Sequence, residues 1–123
     1  MMRDCIFCKI INKETPAEII YEDEKVIAFK DIHPLAPIHY LVVPKKHIPT
    51  IEHLSEEDRD ILWYLLKAIC YIGKKENIST EGERGYKLVC NVGKGGGQVI
   101  EHVHFHLLGG WKSTQERDVP GMP

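Results

Sequence analysis

Residues 102–108 read His102-Val103-His104-Phe105-His106-Leu107-Leu108, a strict alternation of imidazole and apolar side chains. A period of two is that of an extended strand, so His102, His104 and His106 share one face and Val103, Phe105 and Leu107 the other. One face must pack while the other does chemistry or binds metal. Same-face side chains on a strand stand about 7 Å apart, which suits lining up along a substrate and is wide for three ligands on one ion. Neutral imidazole carries a proton on one nitrogen and a lone pair on the other, so such a row can supply a nucleophile, an acid and an orienting donor. Attack on phosphorus and attack on a carbonyl carbon fit it equally.

The remaining pattern predicts an α+β fold, an antiparallel sheet of about five strands with two helices. Phe7, Ile10 and Ile11 recur at i, i+3, i+4 and predict a short helix over Cys5–Ile11. Glu18–Tyr21 and Val26–Phe29 predict two strands joined by the polar turn Glu22-Asp23-Glu24-Lys25. After a loop carrying Pro34 and Pro37, His39–Val43 predicts a third strand ending at Pro44. Ser55 with Asp58 resembles a capping box, and Ile61, Leu62, Leu65, Ile69 and Ile72 continue a helix from Ser55 to about Lys75. Gly85–Val92 and Ile100–Leu108 predict two more strands around the segment Gly93-Lys94-Gly95-Gly96-Gly97-Gln98. Strands in runs rather than in βαβ alternation give this fold class.

The 123 residues, 43% apolar and 28% charged, suffice for one domain over residues 1–123 and one core. A chain this short leaves a sheet edge or apolar face that a second copy can cover. A formal charge of -2 provides no global field for nucleic acid or an anionic membrane. No segment approaches the roughly 20 apolar residues of a membrane span, and Met1–Ile11 lacks the apolar stretch of a signal peptide, so the reading is a cytosolic protein. In that compartment the four cysteines are expected reduced. The Cys5-x-x-Cys8 pair is suited to metal binding, redox chemistry or packing, and Cys70 and Cys90 read as small buried hydrophobes. His33 and His53 read as surface residues, and Lys45-Lys46 as a small solvated basic patch.

The seven residues from His102 to Leu108 resemble the signature of the histidine triad superfamily, His-apolar-His-apolar-His-apolar-apolar, at every position. The resemblance extends to Cys5–Ile11, Ala28–Ile32, Ala36–His39, Val43–His47, Asn91, Gly97-Gln98 and Leu108-Gly109-Gly110, and is nearest to the Hint branch of purine nucleoside phosphoramidases. It implies a homodimer with one continuous sheet, a purine nucleotide as substrate or product, and hydrolysis through a nucleotidyl-histidine on His104. By the same resemblance His106 bonds the phosphate and helps protonate the leaving amine, and His39 orients the row from a neighbouring strand. Asp31 and Ile32 match the positions that hold the ribose hydroxyls and the base in that family. Phe7, Ile10 and Phe29 match the purine pocket and read equally well as plain core. Asn91, Gly97 and Gln98 match phosphate-proximal positions, and the glycines would let main-chain N–H groups approach phosphate oxygens.

Zinc is implied as well. Several bacterial members with this Cys-x-x-Cys hold a structural ion through it and two histidines, here His47 and His102, which would limit the catalytic share of His102. Two departures stand out: Val99 replaces a serine common in the branch, and the tail from Trp111 ends Val119-Pro120-Gly121-Met122-Pro123. The rival enzyme reading is a diadenosine polyphosphate or other nucleotidyl hydrolase. The rival of another class is a nucleotide-binding interaction protein with vestigial turnover.

Overall fold

The computed structural model describes residues 4–117, so the divergent end of the tail, residues 118–123, lies outside the described residues. Its elements are α1 (Ile6–Ile11), β1 (Ile19–Glu22), β2 (Val26–Lys30), β3 (Ile38–Pro44), α2 (Arg59–Lys75), β4 (Tyr86–Val89) and β5 (Phe105–Gly109). The five strands form one antiparallel sheet in the order β1-β2-β3-β5-β4. Single 3-10 turns occupy Ile51–His53, Glu56–Asp58 and Lys94–Gly96.

β2 and β3 read as continuous apolar runs because both of their faces are covered. Val26, Ala28, Tyr40 and Val42 join Leu107, Val103 and the inner face of α2 in one buried cluster. Ile27, Phe29, Leu41 and Val43 join Phe7 and Ile10 of α1 in another. The six-residue α1 is too short to be stable alone and depends on that burial.

The expected element order holds, with shifted ends. The expected strand from Ile100 begins only at Phe105, because His102 N–H turns back to Ile100 O at 2.9 Å and Val103 N–H bonds Ile48 O at 2.7 Å. The strand expected over Gly85–Val92 narrows to Tyr86–Val89. The Ser55 capping box forms with Asp58, yet it opens a 3-10 turn before α2 begins at Arg59. Cys70 was expected buried and is exposed, since it falls on the side of α2 turned away from Ile69 and Ile72. Cys90 is half-buried just beyond β4. Lys45 and Lys46 are not a loose basic patch: Lys45 pairs with Glu22 at 2.7 Å and Lys46 with Asp58 at 2.6 Å. His33 and His53 are exposed, as expected. Among the described residues no helix is long and apolar enough to cross a membrane.

Gly73 of α2 is where the helix meets β4: a Cβ there would sit 2.8 Å from Tyr86 Cε1. Gly73→Ala should lower stability by up to about 2 kcal/mol, overpacking against the end of the Tyr86 ring being offset in part by the helix-propensity gain of about 1 kcal/mol. A reduced urea midpoint checks it.

Candidate active site

β3 and β5 bring the histidines together on the α1 face. In their register Leu41 stands opposite His106 and His39 opposite Leu108, so His39 and His106 are diagonal neighbours. His39 Nε2 lies 2.9 Å from His106 Nδ1, and the His104 and His106 ring centroids are 5.1 Å apart. His39 and His104 are buried and His106 half-buried. Phe7 of α1 stands edge-on to His102, His104 and Phe29, with centroids at 5.7, 5.1 and 5.5 Å. It packs in the core and against the histidine rings at once.

Burial keeps these rings neutral. It lowers His39 and His104, with the Asp31 carboxylate opposing in both. Burial and then the charges of His104 and His39 push His106 down to about 4. In a neutral ring, each hydrogen-bond partner fixes which nitrogen holds the proton. His104 Nδ1 faces His102 O at 2.7 Å and must donate, leaving the Nε2 lone pair without a protein partner among the described residues. His102 Nε2 donates likewise to Pro44 O at 2.8 Å, so its lone pair is on Nδ1.

That Nδ1 lies 3.3 Å from Cys5 Sγ and 3.7 Å from Cys8 Sγ, and His47 Nδ1 lies 3.3 Å from Cys8 Sγ. A tetrahedral zinc with ordinary Zn–S and Zn–N bonds holds sulfur and nitrogen about 3.6 Å apart. Cys5, Cys8, His47 and His102 thus fit a metal ion such as zinc, with all four ligand atoms within 4.8 Å of one another. Burial, then the hydrogen bond and charge of Cys5, push the Cys8 thiol up to about 11. A cation is what makes adjacent thiolates tolerable there. Asp31, His39 and His106 also converge, but Leu35 N–H donates to His39 Nδ1 at 3.0 Å. The remaining nitrogen of His39 is then protonated, which disfavours a metal.

The other expected site residues divide. Asp31 Oδ2 is 3.5 Å from His39 Nε2, so its carboxylate borders the histidines, and Ile32 beside it is 85% exposed. Such an apolar side chain in water is free to meet a ligand. Ile10 and Phe29 are buried core. Asn91 Nδ2 donates to Gly96 O at 2.8 Å, and Gly97 sits in the left-handed region at φ 88° against Asn91. Gln98 spends both ends of its amide on main chain: Oε1 accepts from Gly93 N–H at 2.8 Å, and Nε2 donates to Pro49 O at 2.8 Å and Ile100 O at 2.9 Å. It shapes the glycine loop from within. Val99 beside it is 87% exposed. Sequence reasoning missed Pro44 O, His102 O and Leu35 N–H, main-chain groups that carry no residue signal. A cavity of about 790 Å³, lined by Ile38, Tyr86 and Trp111 among others, includes none of the histidines.

Residues 4–118 match the family model described as "Scavenger mRNA decapping enzyme C-term binding". Protein HitA of Neisseria gonorrhoeae is 41% identical over 108 residues, spanning 88% of this chain and 97% of that protein. Purine nucleoside phosphoramidase of Escherichia coli is 42% identical over 110 residues, 89% of this chain and 90% of that one. The crystal structure of a HIT family hydrolase from Legionella pneumophila superposes with a TM-score of 0.83 at 45% identity, covering 89% of this chain and 96% of that chain. With its histidines, its fold and these relatives in agreement, the chain belongs to the histidine triad superfamily.

Proposed function

We propose that this protein is a hydrolase that cleaves the P–N bond of purine nucleoside 5′-phosphoramidates through a nucleotidyl-histidine on His104. The observation that carries it is the His104 Nδ1–H bond to His102 O, which leaves a neutral Nε2 lone pair as nucleophile. That nitrogen attacks the α-phosphorus, the amine leaves, and water then breaks the P–Nε2 bond to release the nucleotide. His106, protonated on Nε2, bonds the phosphoryl oxygens, and His39 holds His106 in place. Asp31 accepts from the ribose hydroxyls, with Ile32 against the base, and Asn91, Gly97 and Gln98 shape the phosphate side. The purine specificity comes from the phosphoramidase relative. The rival is a nucleotidyl hydrolase acting on dinucleotide polyphosphates, kept beside the first reading because the matching family model is described by a decapping enzyme and not by a phosphoramidase. A panel of adenosine 5′-phosphoramidate and dinucleotide substrates, with mass spectrometry of the quenched protein for an adenylylated histidine, separates them. Faster dinucleotide cleavage would replace the first reading by the second. Nucleotide binding without turnover of either substrate would leave a binding protein.

Zinc bound by Cys5, Cys8, His47 and His102 supplies a structural tie between α1 and the sheet, because protein atoms fill every ligand position. The protein also acts as a homodimer in this reading. Among the described residues β4 ends the sheet with Leu88 exposed, and α2 presents exposed Leu62, Trp63 and Leu66. Leu66→Glu should convert the dimer to monomer by sedimentation.

The rings must be neutral to work, and a lowered pKa delays protonation as pH falls. kcat/KM should stay flat from about pH 8 downward and decline only below the ordinary histidine value of 6.5, as His106 and His39 protonate. An acid limb at 6.5 or above in the pH–rate profile contradicts this.

A further inference from the structure

The loop between β2 and β3 is tied to itself by three bonds, one of which ends on the ring of His39. Asp31 N–H donates to His39 O at 3.0 Å, His33 N–H to Asp31 Oδ1 at 2.8 Å, and Leu35 N–H to His39 Nδ1 at 3.0 Å. An amide N–H has only a proton to offer, so Nδ1 must present its lone pair. The proton of neutral His39 then sits on Nε2, and His106 Nδ1, 2.9 Å away, must accept it. His106 in turn carries its own proton on Nε2.

We propose that the main-chain N–H of Leu35 locks His39 in the Nε2–H tautomer, so that His39 and His106 work as a fixed hydrogen-bond clamp on the phosphoryl group and not as a proton wire. The lock stands on the loop geometry alone, whereas the clamp rests on the phosphoryl-transfer reading above. A wire requires each ring to release a proton from one nitrogen and take one up at the other. If His106 Nε2 gave its proton to the leaving nitrogen, His106 Nδ1 would draw the proton from His39 Nε2. His39 would then need refilling at Nδ1, where Leu35 presents an amide that keeps its proton. An imidazolate would be stranded in a ring 4% exposed, with the Asp31 carboxylate 3.5 Å away adding a like charge.

The leaving nitrogen therefore takes its proton from water on the cleft side, and the share in protonating the amine that the family resemblance implies for His106 is withdrawn in this proposal. One water balances the cycle. The P–N electron pair goes to nitrogen, which gains the water proton, and the hydroxyl goes to phosphorus as the P–Nε2 bond breaks. His106 Nε2–H stays in place throughout as a donor to the phosphoryl oxygens. His39 is accordingly a positioning residue.

The test reads tautomers and rates separately. Long-range ¹H–¹⁵N spectra of the resting, labelled protein, recorded above the histidine pKa range, should show His39 and His106 protonated at Nε2. Leu35→Pro deletes the amide proton and should let His39 populate the Nδ1–H form, while Leu35→Ala keeps the amide and the tautomer. A wild-type His39 protonated at Nδ1, or an unchanged tautomer in folded Leu35→Pro, overturns the lock; if Leu35→Pro does not fold, the wild-type spectrum decides. For the clamp, His39→Gln retains an N–H donor toward His106 but cannot pass a proton. Its kcat should stay within about tenfold of wild type, whereas His39→Ala should lose about 100-fold. Equal losses in the two variants overturn the clamp. Absence of wild-type turnover with the expected tautomers overturns the phosphoryl-transfer reading and leaves the lock standing.

Discussion

His104→Ala should reduce turnover of adenosine 5′-phosphoramidate by about 10⁴-fold or more, the scale of losing a covalent nucleophile whose partners cannot act without it. The adenylylated adduct should vanish from the quenched protein at the same time. No neighbour can substitute. His102 has its lone pair turned to the cysteines, and His106 has its own turned to His39. The cavity left beside Phe7 costs some stability, so a thermal melt must accompany the assay. Exogenous imidazole added to His104→Gly should restore part of the rate by supplying the missing nitrogen. Turnover in folded His104→Ala within tenfold of wild type, on the order of ordinary context effects, would remove the covalent mechanism.

The second large effect concerns the metal cluster. Purified protein should carry about one zinc per chain by elemental analysis, and Cys8→Ser should carry almost none. An ion present at about 1,000 times its Kd stabilises the folded state by about 4 kcal/mol. In a chain of this size that is about 15 °C of melting temperature. Chelation should produce the same shift in the wild type and a much smaller one in Cys8→Ser. The damage should spread to the site, because α1 carries both Cys8 and Phe7, and Phe7 packs on the His104 ring. A metal-free wild type whose melt is unaffected by Cys8→Ser would overturn the zinc assignment.

The facing of the histidines was legible because a period of two leaves no freedom once a strand is granted. Val103 and Leu107 pack on the α2 side while the rings of His102 and His104 meet Phe7 of α1. The extent of that strand was not legible. Whether His102–His104 pairs with a neighbouring strand depends on the carbonyl of Ile48, more than fifty residues away in sequence. Cys70 failed for a related reason. An apolar residue on an amphipathic helix reads as core, although this one lies on the exposed face of α2. Phe7 reads equally as core and as pocket in sequence, and in the fold it touches both Phe29 and His104.

The sequence by itself determined the α+β class, the order of the elements and the residue types assembled for chemistry, since periodicity and side-chain identity are local properties. Its motif likewise sufficed to point to the histidine triad superfamily. Only the tertiary structure decided what each imidazole can do. His102, His104 and His39 are told apart by the carbonyls of Pro44 and His102 and by the amide of Leu35, every one a main-chain group. A backbone amide is the same at nearly every position of the chain. Its effect on a ring nitrogen comes from where the fold puts it, and no residue code records that.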